Sequence, residues 1–98
     1  MRIFVLGAGA TGSLLAQLLE RQGHDVWCGD RDPERARRFL GKRSTIAIAP
    51  VNARNLHGIV RAARGCQLIV NASASVFNEI VLRAALRLRA HYLWPARQ

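Results

Sequence analysis

Ile3-Phe4-Val5-Leu6-Gly7-Ala8-Gly9-Ala10-Thr11-Gly12 is the stretch that decides the fold. Ile3 to Leu6 is a run of β-branched, aromatic and aliphatic residues that breaks at glycine, the pattern of a strand buried on both faces. Three glycines follow at G-x-G-x-x-G spacing. Beyond them Leu14, Leu15, Leu18 and Leu19 recur on one expected helical face, with Gln22-Gly23 as the helix stop. Strand, glycine turn and helix form the context in which this spacing cradles a pyrophosphate. Gly7 permits the tight turn, Gly9 leaves bare backbone for the phosphates, and Gly12 lets helix and strand approach closely. Free amides at the helix start, Ala10 and Thr11 among them, would donate to phosphate oxygens, aided by the helix dipole.

Outward from this unit the alternation continues. Val26 to Cys28 predicts a second strand that ends at Gly29-Asp30. Asp32-Pro33-Glu34 then opens a helix that runs to Leu40: Asp32 as N-cap, Pro33 where no amide donor is needed, Glu34 at the positive end. Thr45 to Ala49 is a weaker third strand with Pro50 at its end. Leu56, Ile59, Val60 and Ala63 recur at helical spacing up to Arg64-Gly65, and Leu68 to Val70 is a fourth strand. Asn71 to Ser75 is a small, polar loop; Phe77, Ile80, Val81, Ala84, Ala85 and Leu88 trace one helical stripe after it. His91 to Leu93 is the last strand, closed by Pro95. Strict alternation with short connections predicts an α/β fold, a doubly wound parallel sheet of about five strands in the order 3-2-1-4-5, with a ligand cleft where the order reverses between strands 1 and 4.

The residues that would line such a cleft can be named. Asp30 stands about 20 residues beyond the glycines, where a carboxylate bonds the adenosine ribose hydroxyls; as a plain surface carboxylate it would instead pair with Arg31 or Arg35. Arg31 could stack on adenine or pair with a 2′-phosphate, a phosphate that Asp30 would repel, so NAD is expected slightly ahead of NADP. Asn52, after the third strand, would meet the adenine side or merely serve a turn. Ala72 and Ser73, after the fourth strand, would border the nicotinamide half, with Ser73 bonding the ligand or capping the next helix. No catalytic residue stands out: His24, His57 and His91 have no paired acid or nucleophile in the sequence, and no metal-ligand spacing is present.

Composition narrows the classes. The chain has 98 residues, half of them hydrophobic, which makes one domain over 1–98 and leaves no room for a second. Its formal charge is +9 and Lys42 is the only lysine, so nearly all the cations are arginines. This attracts anions in general. The arginine-bearing helices would fall on opposite faces of a doubly wound sheet, which argues against a nucleic-acid partner. Cys28 and Cys66 form no C-x-x-C pair and sit among apolar residues, as free cysteines in a reducing cytoplasm do. Arg2 and the nearly uncharged residues after it have the look of a signal peptide, but the glycine-spaced turn interrupts the run, and no later stretch reaches the ~18 apolar residues that span a bilayer. Bare strand edges or an uncovered apolar face would favour a homodimer.

With these residues in view, the chain resembles the NAD(P)-binding domain of the saccharopine dehydrogenase family over nearly its whole length. The likeness rests on Val5 to Gly12, on Gly29-Asp30-Arg31-Asp32-Pro33-Glu34-Arg35-Ala36, on Ile69-Val70-Asn71-Ala72, and on the stretch from Phe77-Asn78 through Val81-Leu82-Arg83-Ala84-Ala85 to His91-Tyr92-Leu93. The resemblance implies a pyridine-nucleotide oxidoreductase domain that holds its cofactor with Gly7, Gly9, Gly12, Asp30 and the loop after Asn71, the substrate being handled by a second domain absent here. The sequence departs from the family at Trp94-Pro95-Ala96-Arg97-Gln98, where an acidic or small polar residue and a glycine-containing link are usual, which suggests a cut or divergent domain. From Gly7 to Leu15 the chain also resembles ketopantoate reductase, a likeness that fades after the third strand. Two alternatives follow: an NADP domain of that kind, and a non-catalytic nucleotide-sensing module similar to the regulatory domains of potassium transport.

Overall fold

A computed structural model describes residues 1–94 of the chain. The elements run β1 (Arg2–Leu6), α1 (Ala10–Arg21), β2 (Asp25–Asp30), α2 (Pro33–Leu40), β3 (Ala47–Pro50), α3 (Leu56–Ala62), β4 (Leu68–Asn71), a 3-10 turn (Ser75–Phe77), α4 (Asn78–Leu88) and β5 (His91–Leu93). The strands form a single parallel sheet in the order β3-β2-β1-β4-β5. This is the doubly wound arrangement that the sequence predicts.

The period of two in β1 builds the core. Ile3 and Val5 face one layer, with Ala16 of α1 and Ala36 and Leu40 of α2. Phe4 and Leu6 face the other, with Ile59 of α3 and Val81, Ala84 and Ala85 of α4. All four strand residues are buried, as a central parallel strand covered on both sides requires. The arginine-bearing helices α2 and α4 accordingly lie on opposite faces.

Register places the site. Leu6 stands opposite Gly29 on one side and Asn71 on the other, and Asp30 stands opposite Pro50. The carboxyl ends of the central strands therefore share one rim, and the chain crosses from β3 over to β4 beside β1, which opens a crevice there.

Several boundaries and one helix face differ from the sequence reading. The buried face of α1 is Gly12, Ser13 and Ala16, flanked by Leu15 and Leu19, whereas Leu14 and Leu18 point outward at 57% and 44% exposure. Both leucine pairs have i, i+4 spacing, so periodicity alone could not choose between them; the close seat of α1 on β1 admits small residues and turns Leu14 and Leu18 out. β3 begins at Ala47 rather than Thr45 and includes Pro50, which an edge strand tolerates because the ring's missing donor faces no neighbour. Asn71 belongs to β4, and the last helix starts at Asn78, after the 3-10 turn. Pro95, expected to close β5, lies outside the described residues, as does the rest of the segment to Gln98.

Candidate functional site

The turn from β1 into α1 is shaped by contacts of bare backbone. Gly7 has φ +93°, and a side chain there would also come within 2.9 Å of the Ser73 amide nitrogen. Its own amide donates to the Gly29 carbonyl at 2.7 Å, tying the turn to β2. A Cβ on Gly12 would collide with the Gly7 carbonyl oxygen, so only glycine lets α1 sit this close. Gly9 is different: it has φ −76°, open to any residue, and a Cβ there would meet only Arg35 Nη2, at 3.7 Å. Its glycine leaves space rather than meeting a backbone demand.

Gly9 is also the N-cap of α1, and no side chain caps that helix, nor does its first turn carry an acid. The opening amides of a helix have no acceptor within it, so those of Ala10 and Thr11, both exposed, are turned to whatever lies beyond. By contrast Asp32 caps α2 by accepting from the Arg35 amide at 3.1 Å, and Asn55 caps α3 by accepting from the Gly58 amide at 3.1 Å. Below the turn the buried Ser13 hydroxyl donates to the Ala8 carbonyl at 2.8 Å.

Asp30 closes the second side. Its Oδ2 accepts from the Ala8 amide at 2.7 Å and its Oδ1 from the Asp32 amide at 2.8 Å. The carboxylate thus braces the glycine turn against the start of α2, and it pairs with neither Arg31 nor Arg35; the ion pair among the described residues is Glu79–Arg83. A cleft of about 880 Å³ lies above the strand ends, lined by Gly7, Asp30, Arg31, Asn52 and Ser73 among the residues singled out in the sequence. None of the histidines lines it.

The placement of the other expected residues is mixed. Ala72 packs beneath the turn, its Cβ close to Gly12. Asn52 lines the cleft, but its Oδ1 accepts from the Arg54 amide at 2.9 Å and its carbonyl from the Asn55 amide at 2.9 Å, so its polar groups serve the turn. Ser73 does not cap α4; its hydroxyl and its amide both donate to Asn71 Oδ1. Residues that the sequence reading does not assign to the cleft also reach it: Arg35, whose guanidinium lies 5.4 Å from the Phe39 ring centre, and Arg54, 5.5 Å from that of Phe77, itself a lining residue. The cleft therefore holds three arginines, Arg31, Arg35 and Arg54, that have no carboxylate partner among the described residues.

Asn71, 1% exposed, is the buried polar centre of the β4 end. Its Nδ2 donates to Asn78 Oδ1 at 2.7 Å, and the same oxygen accepts from the Tyr92 hydroxyl at 2.6 Å. Burial raises the Tyr92 hydroxyl above its ordinary ionisation range, with the Asn71 amide offsetting part of the shift.

Comparison with known proteins agrees with this fold. Apo saccharopine dehydrogenase (L-Glu forming) from Saccharomyces cerevisiae superposes with a TM-score of 0.85 at 14% identity, over 99% of this chain and 22% of that one. Thermus thermophilus UDP-glucose 4-epimerase, solved with NAD, superposes with a TM-score of 0.79 at 21% identity, over 95% and 36%. Both likenesses are of fold. The Trk system potassium uptake protein TrkA of Streptomyces coelicolor is 51% identical over 49 residues, 46% of this chain and 22% of that protein. The chain thus spans about a fifth of the length of the yeast enzyme and of TrkA. The family model described as the saccharopine dehydrogenase NADP binding domain matches residues 3–96, and the chain belongs to that family as a Rossmann nucleotide-binding module.

Proposed function

We propose that the cleft binds a nicotinamide dinucleotide and that residues 1–98 serve as the cofactor domain of a saccharopine dehydrogenase-like oxidoreductase, with substrate chemistry supplied by another domain. The observation that carries this reading is the bare Gly9 at the uncapped start of α1, a cradle that a Cβ would fill. The pyrophosphate would lie over Gly9 against the amides of Ala10 and Thr11, held by the helix dipole. Gly7 and Gly12 shape the turn beneath it. When bound, the nicotinamide supplies a hydride acceptor or donor; the chain's own part is to hold and orient it beside Ala72 and Ser73.

Asp30 would take the adenosine ribose. A carboxylate has about four acceptor positions, and two of those on Asp30 are filled by backbone amides, which leaves capacity for a pair of hydroxyls. Its charge opposes a 2′-phosphate, so the reading favours NAD over NADP, with Arg31 and Asn52 bordering the adenine side. The reduced, buried Cys28 and Cys66 fit a cytoplasmic setting, and the outward Leu14 and Leu18 fit a homodimer. Calorimetric titration with NAD, NADP, ATP and AMP tests the assignment: a dinucleotide is expected to bind most tightly, and failure of every dinucleotide well above millimolar concentration overturns it.

The local identity to TrkA favours a second reading, a non-catalytic nucleotide sensor of a potassium uptake system. It would show as ligand-driven change in oligomeric state without hydride transfer when substrate domains are supplied.

A further inference from the structure

We propose that Asn78 and Tyr92 are positioning residues of the dinucleotide site, which through Asn71 hold the Ser73 backbone against the glycine turn at the nicotinamide end of the cleft. This rests on the dinucleotide reading above. Neither residue lines the cleft.

The chain of contacts is continuous. The Tyr92 hydroxyl, on β5, and the Asn71 amide, on β4, converge on one oxygen, Asn78 Oδ1, at 2.6 and 2.7 Å. The Ser73 backbone amide, which can only donate, sets which way the Asn71 amide faces, and Asn78 anchors its other end. The Asn71 Nδ2 points toward α4 and also lies 3.4 Å from the Ala74 carbonyl, and its Oδ1 points to Ser73, whose amide donates at 2.9 Å and whose hydroxyl donates as well. Ser73 in turn abuts Gly7 so tightly that a Gly7 Cβ would come within 3.1 Å of Ser73 Cα. Backbone against backbone leaves no flexible side chain to absorb a shift, so a displaced Ser73 either moves the turn or opens a gap beside it. Trp94 stacks on Tyr92 with ring centres 5.0 Å apart and covers one side of the phenol.

A buried polar network is a poor source of stability compared with apolar packing of the same shape, but it fixes orientation. The Ser73 amide holds Asn71 Oδ1 on its side; Asn78 anchors the other end of the Asn71 side chain, and Tyr92 holds Asn78 in turn. In Tyr92→Phe one of the two donors to Asn78 is lost while the core volume is kept, and in Asn78→Ala the Asn71 amide loses its anchor. Asn78→Asp retains an acceptor for both donors.

The test compares titration of NAD and of AMP into the whole chain and its variants, with the Ser73 amide resonance followed in the unliganded proteins. Tyr92→Phe and Asn78→Ala are expected to weaken NAD about threefold to tenfold, the effect of one hydrogen bond, and to displace the Ser73 resonance. AMP, which lacks the nicotinamide half and reaches the turn only through its one phosphate, is expected to be weakened less than NAD, and Asn78→Asp to return NAD affinity toward wild type. Equal weakening of NAD and AMP would mark general loss of structure and overturn the proposal. So would variants that bind NAD like the wild type. A wild-type chain that binds no dinucleotide overturns the underlying reading, and this proposal with it.

Discussion

The Asp30 carboxylate accepts a hydrogen bond from the Ala8 backbone amide at 2.7 Å, so the acid at the end of β2 is part of the glycine turn as well as of the cleft wall. Ala8 is fully buried, and its amide has no ready substitute for that acceptor. Asp30→Ala is therefore expected to lower stability by about 1–2 kcal/mol, the penalty for a buried donor left unpaired. Asp30→Asn, which keeps an acceptor oxygen, should lose less. Thermal unfolding separates the two. In calorimetry Asp30→Ala should weaken NAD more than NADP, because on the proposed reading it removes both a ribose acceptor and a charge that repels the 2′-phosphate; the reverse order would make Arg31 the determinant.

The three glycines of the turn are expected to fail in different ways. Gly12→Ala drives a methyl into the Gly7 carbonyl and should cost about 3 kcal/mol or more, since neither backbone can yield without unseating α1 from β1. Gly7→Ala meets both a positive φ and the Ser73 backbone and should destabilise as well. Gly9→Val faces neither obstacle, having only Arg35 nearby, so it should unfold close to the wild-type temperature yet bind no dinucleotide. A Gly9→Val protein with undiminished affinity would remove Gly9 from the site.

The thiols set an expectation for alkaline pH. Burial pushes Cys28 up to about 12 from the ordinary 9.0, against the opposing pull of Arg37, and Cys66 and Tyr92 are raised in the same sense. Below the unfolded value both states hold the proton and nothing is lost. As pH rises from about 9 toward 12 the unfolded Cys28 ionises and the folded one does not, so stability falls, by at most about 1.4 kcal/mol per pH unit from this group. Denaturant titrations across that window should show the decline, and Cys28→Ala, although less stable near neutrality, should show a shallower one. Native protein should leave Cys28 unreacted with thiol reagents near pH 8.

How far these features were legible in the sequence depended on whether each is set locally. The glycine turn, the Asp32 cap and the place of Asp30 follow from spacing along one strand-turn-helix unit, and the strand order follows from alternation and handedness. In the sequence Gly29 reads only as a strand end, although a Cβ there would strike the Phe4 ring; that demand comes from the neighbouring strand, and no pattern within β2 announces it. Arg35 and Arg54 reach the cleft from the first turn of α2 and the turn after β3, so their role depends on how those segments lie across the rim. The Asn71, Asn78 and Tyr92 contacts join three elements, and within its own segment Asn71 is indistinguishable from ordinary loop polarity. Leu14 and Leu18 misled because hydrophobic spacing cannot register how closely a helix must approach a sheet.

Arg37 offers a last test of how the β3 side of the cleft is held. From the last turn of α2 its guanidinium donates to the Ser44 carbonyl at 2.9 Å and the Ile46 carbonyl at 2.6 Å, fixing the entry to β3, a four-residue edge strand that ends in proline. So short a strand has little ladder of its own, and the residues after it, Val51 to Arg54, line the cleft. Arg37→Ala is expected to cost about 2–3 kcal/mol by leaving both carbonyls without their charged donor. Arg37→Lys should rescue little, because a single ammonium lacks the planar fork that reaches two acceptors at once. Hydrogen exchange locates the effect: the Val51 amide, which donates to the Asp30 carbonyl at 3.0 Å, should lose protection before the β1 amides do. Uniform loss across the sheet would mean that Arg37 supports global stability and not the β3 edge in particular.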